Sequence, residues 1–239
     1  MQKITKYICS VLKQAAKMTT RPFNIYDKDD KGDVVTDIDK QVEEFVVEKL
    51  NQKYPEFEIV SEEYNPDKKL TDNCFIIDPI DGTKNFAAGI PLWGMQIAGM
   101  QDGELFTSVI YLPRVDEMYW ADCDGAFLNG QKLEIAATAK NKKPIYGLEG
   151  GDKFPALMQL EKEVNRNFRY LAASSVGYSW VAAGRMDAFM LRKNTKWDYL
   201  PGLYLVKMAG GYILDKPGAH IAATTENLLK IFSKFPEKA

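Results

Sequence analysis

Histidine and cysteine are scarce in this chain of 239 residues, which has one histidine, His220, and three cysteines, Cys9, Cys74 and Cys123. A single histidine argues against histidine-rich metal sites and against nucleophilic triads that use histidine as their base. Three cysteines at these spacings match neither a disulfide framework nor a cysteine metal site. We therefore expect free thiols, as is typical of a reducing compartment.

The chain also lacks an excess of charge of either sign and any long hydrophobic run. Lysine and arginine total 31 against 33 aspartates and glutamates, a formal net charge of −2. This balance indicates no nucleic acid partner and no anionic membrane surface. No apolar run approaches membrane-spanning length, and the amino-terminal residues resemble no signal peptide. We expect a cytoplasmic protein without a membrane partner.

The composition is that of a globular protein, with 46% hydrophobic residues. A chain of this length can bury a full core, so we predict one domain over residues 1–239. Possible sub-layers of this domain cover about 1–135 and 136–239.

Hydrophobic spacing predicts mixed helices and strands. Helical spacing occurs over residues 4–16 and 38–50, and three strands that form an antiparallel meander are predicted within 95–121. Asn129-Gly130 between apolar residues is a strong hairpin signal. Further along, helix 175–183, strand 187–191 and helix 199–208 are predicted, the last ended by glycines.

The most informative segment is residues 76–86, in which two aspartates, a glycine and a threonine follow an apolar run. It reads Ile-Ile-Asp-Pro-Ile-Asp-Gly-Thr-Lys-Asn-Phe. The apolar residues before Asp78 predict a buried strand, and the proline and glycine predict a turn at its carboxyl end. A turn can bring Asp78 and Asp81 towards one point, where their charges repel each other unless a cation lies between them. Such oxygen ligands favour Mg²⁺. Gly82 and Thr83 begin a predicted helix, whose amino terminus attracts phosphate.

An Asp-Gly turn alone is common turn chemistry, but three other segments accompany this one. Val34–Asp39 ends in an aspartate, Ser61-Glu62-Glu63 has paired glutamates, and Trp197-Asp198 lies before a predicted helix. With residues 78–83, and in this order, they resemble the inositol monophosphatase family of Mg²⁺-dependent, lithium-sensitive phosphatases, which is grouped with the fructose bisphosphatases.

The resemblance extends over nearly the whole chain, since residues 124–130 and 181–187 are also similar to the family. It implies an α+β fold, an alternating α-β-α-β-α sandwich as in inositol monophosphatases and fructose bisphosphatases. It also implies that the protein is a homodimer and that it binds a small phosphate ester.

Two or three Mg²⁺ ions per site are implied by the same resemblance. Glu62, Asp78 and the backbone carbonyl of Ile80 would hold the first ion. Asp78, Asp81 and Asp198 would hold the second, so that Asp78 bridges the two. A third, weaker ion would lie beside Glu62.

Thr83 and Asp39 are the catalytic residues that the resemblance implies. Thr83, hydrogen-bonded to Asp39, would orient a nucleophilic water and help to remove its proton, and the N–H groups of Gly82 and Thr83 would hold the phosphate. Ser174 is a candidate substrate contact, although a serine before a predicted helix can equally be a cap.

The substrate is less well defined by the sequence. Inositol monophosphatases usually have an acidic residue seven positions before the aspartate of the Trp-Asp pair, and this chain has Leu191 there. The neighbouring Arg192, Lys193 and Lys196 are either solvated surface cations or, with Arg192 as a substrate-binding residue, a site for a second phosphate.

These observations predict a Mg²⁺-dependent phosphomonoesterase that hydrolyses inositol monophosphate or a related sugar phosphate with metal-activated water. One alternative is a phosphatase for a bis-phosphorylated substrate such as 3′-phosphoadenosine 5′-phosphate, fructose 1,6-bisphosphate or NADP. The other is a regulatory binding protein on the same scaffold.

Overall fold

Two helices near the amino terminus form where the apolar spacing predicts them. The computed structural model describes residues 1–28, 34–135, 143–150, 162–164 and 167–234. Helix α1 spans Lys3–Ala16 and helix α2 spans Asp37–Lys53. Thr36 and Asp39 cap α2 reciprocally, each side chain accepting a hydrogen bond from the other residue's N–H group. Between the helices lie a 3-10 turn, Lys17–Thr20, and an antiparallel hairpin of β1 (Ile25–Asp27) and β2 (Val34–Thr36).

Among the described residues, the larger sheet has seven strands that follow one another in chain order. The first two strands pair in parallel, and the remaining pairs are antiparallel, which confirms the predicted meander. The strands are β3 (Glu58–Ser61), β4 (Cys74–Asp81), β5 (Gly94–Gln101), β6 (Glu104–Leu112), β7 (Glu117–Asp122), β8 (Gly125–Leu128) and β9 (Gln131–Lys132). The short helix α3 (Thr83–Ala87) follows β4, and a 3-10 turn, Pro113–Val115, joins β6 to β7.

Within the ranges that the structure describes, the smaller sheet has five strands, and helices pack against both of its faces. Its strands are β10 (Tyr146–Glu149), β11 (Phe168–Arg169), β12 (Ala188–Leu191), β13 (Tyr212–Lys216) and β14 (Ala219–Ala223). They lie in the spatial order β11-β10-β12-β14-β13. The helices are α4 (Ser174–Ala182), α5 (Lys196–Met208) and α6 (Glu226–Ser233).

Five layers result from the packing of these elements. Helices α1 and α2 cover one face of the larger sheet in a cluster that includes Ile77. Helices α4 and α5 lie between the sheets, where Tyr178 is in one cluster with Tyr119 of the larger sheet and Phe189 of the smaller. Phe232 of α6 is buried against the outer face of the smaller sheet. Each such buried side chain contributes roughly 1.5–3 kcal/mol. The predicted α-β-α-β-α sandwich is confirmed.

The turn between β8 and β9 agrees with the sequence-based prediction, whereas the start of α5 does not. Asn129 and Gly130 have φ angles of 48° and 85°, as a two-residue hairpin turn between β8 and β9 demands. Helix α5 begins at Lys196 rather than at Tyr199, which places Asp198 inside its first turn. The residues Lys-Trp-Asp carry no apolar period, so hydrophobic spacing could not detect this extra turn. Within the described ranges, no helix combines the length and the apolar character that crossing a bilayer requires.

Candidate metal centre

The carboxyl end of β4 carries two aspartates on an irregular backbone. The pairing register between β4 and β5 shifts between Asp78 and Asp81, which allows side chains three residues apart to approach each other. Gly82 follows with a φ angle of +87°, and a Cβ atom there would lie 3.0 Å from the Cβ atom of Ala173. Only glycine adopts this conformation readily and also leaves room for the neighbouring chain.

Three aspartates from distant parts of the sequence meet at this strand end. Carboxylate oxygens of Asp78, Asp81 and Asp198 all lie within 4.8 Å of one another, and all three residues are buried. Asp198 enters from the first turn of α5, where the Thr195 hydroxyl donates a hydrogen bond to its Oδ2. The Nζ atom of Lys193 lies 3.8 Å from the same oxygen. The structure therefore brings together the three residues that the family resemblance implies as ligands of a second metal ion.

Asp81 is held in place from the start of α4. The N–H groups of Ser174 and Ser175 donate to its two carboxylate oxygens at 3.2 and 2.7 Å, and both hydroxyls donate to the same oxygens. The N-cap of α4 is Ala173, so the capping alternative for Ser174 is wrong. The N–H group and the hydroxyl of Ser174 both donate to Asp81. No local sequence pattern predicts this contact, because the two residues are far apart in the chain.

Burial and nearby negative charge make the carboxyl groups of Asp78 and Asp81 resist ionisation. Burial raises the pKa of Asp78 well above its usual range, and the charges of Glu62 and Asp81 raise it further. Burial also raises the pKa of Asp81 to about 6, assisted by Asp198 and opposed by hydrogen bonds from Ser175. Concentrated negative charge of this kind favours binding of a divalent cation.

The two carboxylate oxygens of Asp78 differ in their surroundings. Its Oδ2 accepts a hydrogen bond of 3.4 Å from the Gln96 side chain. Its Oδ1 is buried and has no hydrogen-bond partner among the described residues. A buried acceptor without a partner is costly, and a bound cation would compensate for that cost. The donor set, made only of oxygens, fits Mg²⁺.

Glu62 lines the same cavity, but its carboxylate pairs with a lysine. The Nζ atom of Lys28 lies 2.8 Å from Glu62 and 2.7 Å from Glu63. Burial raises the pKa of Glu62 to about 8 against the opposing effect of Lys28. Glu62 thus lines the same cavity as the three aspartates and forms an ion pair with Lys28. The sequence did not indicate Lys28 as its partner.

Thr83 and Asp39 are in direct contact. The Thr83 hydroxyl lies 3.0 Å from Oδ1 of Asp39 and 2.9 Å from the carbonyl oxygen of Ile80, and its one proton can go to either acceptor. Thr36 donates from its N–H group and its hydroxyl to the other oxygen of Asp39. Burial raises the pKa of Asp39 to about 6 although these hydrogen bonds lower it.

A cavity of about 440 Å³ opens above these groups. Most of the predicted site residues line it, namely Glu62, Asp78, Ile80, Asp81, Gly82, Thr83 and Asp198. Asp39 and Ser174 lie behind this wall, and Arg192, which is only 9% exposed, is not among the described residues that form it.

Some cavity residues were missed by the sequence-based prediction. Lys84 adjoins the predicted Thr83, whereas Glu149 and Gly150 come from the end of β10 in the other sheet. Lys193 was noticed only as part of a basic run. The position of Lys84 directly after Thr83 could have indicated that it lies near the cavity. Glu149 and Gly150 could not be predicted in this way, because their place in the cavity depends on how the two sheets pack together.

Comparisons of the sequence and the fold with known proteins identify the family of this chain. The model of the family described as "Inositol monophosphatase family" matches residues 1–230. A fructose-1,6-bisphosphatase/inositol-1-monophosphatase of Thermotoga maritima is 31% identical over 209 residues, covering 86% of this chain and 80% of its own. An inositol-1-monophosphatase of Mesorhizobium japonicum is 32% identical, covering 78% of this chain and 74% of its own. The solved structure of a Thermotoga maritima IMPase has a TM-score of 0.86 at 26% identity and covers 97% of this chain and 96% of that one. This chain belongs to the inositol monophosphatase family.

Proposed function

We propose that this protein is a Mg²⁺-dependent phosphomonoesterase that hydrolyses a small phosphorylated metabolite, inositol monophosphate or a related sugar phosphate. The observation that carries the proposal is the convergence of Asp78, Asp81 and Asp198 beneath an open cavity. The names of the family and of its relatives support the substrate class.

The proposed ligand sets are those of the family. Glu62, Asp78 and the Ile80 carbonyl would hold one ion, and Asp78, Asp81 and Asp198 would hold another. A third, weaker ion would lie beside Glu62. Bound Mg²⁺ supplies Lewis acidity and neutralises charge on the phosphate oxygens. Glu62 would have to leave its ion pair with Lys28 in order to bind the first Mg²⁺ ion.

Thr83 and Asp39 would orient a water molecule and accept its proton. When Thr83 donates its proton to Asp39, the hydroxyl oxygen can accept a hydrogen bond from water in the cavity. The raised pKa of Asp39, about 6, suits a group that takes a proton near neutrality. In the reaction, the water oxygen would bond to phosphorus while its proton passes through the Thr83 hydroxyl to Asp39. The bond between phosphorus and the ester oxygen would break, and the departing oxygen would take a proton from solvent water, so that the products are an alcohol and inorganic phosphate. The N–H groups of Gly82 and Thr83 would hold the phosphate.

Lithium sensitivity, a homodimer, a cytoplasmic location and a single catalytic domain over residues 1–239 belong to the same proposal. Residues from both halves of the chain line the cavity, which supports one domain. The free thiols of Cys9, Cys74 and Cys123 are in keeping with a reducing compartment. Light scattering on the purified protein is the check on the dimer.

The function is tested by phosphate release from a panel of esters, namely inositol 1-phosphate, 3′-phosphoadenosine 5′-phosphate, fructose 1,6-bisphosphate and NADP. We expect release with Mg²⁺ from at least inositol 1-phosphate, its loss in excess EDTA, and its return when Mg²⁺ is added back. Lithium in the same assay should inhibit. Release that is undiminished by EDTA would contradict a metal-dependent mechanism.

Thr83→Ala is expected to lower kcat by about 100-fold, because the water loses its orienting acceptor and its route to Asp39. Thr83→Ser is the matched control, since it keeps the hydroxyl and should keep most of the activity. The KM value should change much less than kcat. Steady-state kinetics on both variants measure kcat and KM. Equal activity of the Ala and Ser variants would contradict a role of the Thr83 hydroxyl in catalysis.

A further inference from the structure

Helix α2 carries a second buried carboxylate, one turn beyond Asp39. This residue is Glu43, which has a relative exposure of 0%. Residues four apart lie on the same face of a helix, about 6 Å apart along its axis. The Thr83 hydroxyl lies 3.0 Å from Oδ1 of Asp39, so this face of α2 is directed towards the site. A carboxylate is costly to bury unless its oxygens are hydrogen-bonded, so the partners of Glu43 account for its place.

The hydrogen-bond partners of Glu43 belong to the segment that carries Glu62. The Ser61 hydroxyl and the N–H group of Tyr64 donate to Oε1 of Glu43, the latter at 2.9 Å. The N–H group of Glu63 donates to Oε2 at 2.9 Å. These donors lie on both sides of Glu62 in the sequence. Glu43 therefore holds the chain immediately before and immediately after Glu62.

The segment after β3 has no strand pairing that could fix it. Strand β3 ends at Ser61, which pairs in register with Ile77 of β4, and residues 62–64 form a turn. Backbone N–H groups that are shielded from water need an acceptor, and those of the turn find one in Glu43 rather than in the sheet. The place of this turn beside β4 therefore depends on a side chain of α2.

The chemistry of the contact requires a carboxylate. Among the described residues, the three groups that hydrogen-bond to Glu43 are all donors. A carboxylate accepts from all of them, whereas an amide would turn its own N–H groups towards at least one donor. Glutamine is therefore a poor substitute at this position, although it has nearly the same size and shape.

The contact leaves the Glu62 side chain able to change partner while its backbone stays in place. Glu62 is paired with Lys28 at 2.8 Å, and it would have to leave this ion pair to bind Mg²⁺. Glu43 holds only groups of the flanking residues, so the exchange needs no movement of the turn. A ligand whose backbone is already fixed loses less conformational freedom when it binds the metal.

We infer that Glu43 is a positioning residue for Glu62, and that it sets the Mg²⁺ affinity of the first ligand set by holding residues 61–64 against α2. The inference rests on the proposed function and its ligand sets. It gives Glu43 no contact with the metal or with the substrate. Helix α2 then supports both parts of the site, Thr83 through Asp39 and Glu62 through Glu43.

The test measures Mg²⁺ binding to the metal-free protein by titration calorimetry, together with the Mg²⁺ concentration that gives half-maximal phosphate release. Glu43→Gln should weaken Mg²⁺ binding about tenfold or more and raise the half-maximal concentration to match. Saturating Mg²⁺ should restore most of kcat. Glu44→Gln makes the same chemical change at the next residue, which is exposed, and should leave both quantities as they are.

A double-mutant comparison separates positioning from a general loss of structure. Because Glu43 acts through Glu62, Glu43→Gln should weaken Mg²⁺ binding no further in a protein that already carries Glu62→Gln. Val46→Ala, a cavity-forming change in the core of the same helix, should lower the melting temperature and leave the Mg²⁺ affinity unchanged. Equal losses of affinity with and without the Glu62 carboxylate would overturn the inference.

Ser61→Ala serves if Glu43→Gln folds poorly. It removes one donor to Glu43 and keeps the carboxylate with both N–H contacts, so it should weaken Mg²⁺ binding by a smaller factor. Wild-type Mg²⁺ affinity in whichever of the two variants folds would overturn the role of Glu43. A wild type that takes up no Mg²⁺ would overturn the ligand sets and this inference with them. A wild type that binds Mg²⁺ but releases no phosphate would overturn the proposed function alone, since the calorimetric comparison does not depend on turnover.

Discussion

Asp198→Asn should reduce Mg²⁺-dependent phosphate release by about 1,000-fold or more while the protein stays folded. Asp198 is one of three aspartates whose oxygens lie within 4.8 Å of one another, and the amide that replaces it is a neutral, weaker ligand for a hard cation. The amide oxygen can still accept the hydrogen bond from Thr195, so the first turn of α5 keeps its side-chain contact. Phosphate release at saturating Mg²⁺, with circular dichroism as the fold check, measures the effect.

Thr195→Val is the informative companion to this variant. It removes the hydroxyl that donates to Asp198 but leaves the carboxylate, so it should weaken activity far less, by about 10- to 100-fold. High Mg²⁺ should restore part of the activity of Thr195→Val and none of that of Asp198→Asn. Undiminished phosphate release by Asp198→Asn would show that the second ligand set is wrong.

The sequence predicts the β4 end of the site well because its features are local. Asp78, Asp81 and Gly82 follow one apolar strand within five residues, so strand, turn and polar groups are all visible in one window. The layered fold is equally accessible, since the helical spacing of apolar residues in α1 and α2 and the largely apolar, turn-bounded segments of β5–β7 are also local features. Resemblance to a family then supplies Asp198, which no local pattern connects to the motif.

Contacts between distant segments could not be predicted in the same way. Ser174 reads as a cap or a substrate contact, and only the tertiary structure shows its N–H group and hydroxyl on Asp81. Lys28 belongs to no motif in the sequence, and only the fold places its ammonium group within 2.8 Å of Glu62 and 2.7 Å of Glu63. Glu149 carries no motif at all, and its place in the cavity depends on the meeting of two sheets. Side-chain partners of this kind depend on tertiary packing rather than on local propensity.

The site is expected to reduce the stability of the metal-free protein, and Asp78→Asn should reveal this. Asp78 is 1% exposed, has a buried oxygen without a partner, and is surrounded by like charges. Asparagine removes the charge and keeps an oxygen for the Gln96 hydrogen bond. We expect the metal-free variant to melt about 4 °C above the metal-free wild type, because about 1–2 kcal/mol of repulsion is relieved. Activity should fall by about 1,000-fold or more, since Asp78 is shared by both ligand sets.

The sign of the pH dependence follows from the raised pKa of Asp78. In the folded protein this carboxyl holds its proton at pH values where the unfolded chain has lost it, so the wild type loses stability as the pH rises from about 4 through the folded pKa. The advantage of Asp78→Asn should therefore be small near pH 4 and larger near pH 8. An advantage that is constant with pH would exclude charge as its cause.

Asp81→Asn is the matched control, because Asp81 differs from Asp78 in its partners. Its two oxygens accept from the N–H groups and hydroxyls of Ser174 and Ser175, and an amide nitrogen would face two of those donors. That variant should melt below the metal-free wild type, since buried donors lose their acceptor. Saturating Mg²⁺, at about 100 times its dissociation constant, should stabilise the wild type by about 2.7 kcal/mol and stabilise either variant much less. If Asp78→Asn also lowers the melting temperature, the carboxylate of Asp78 is held by favourable contacts, and its role as a bridging metal ligand loses its main support.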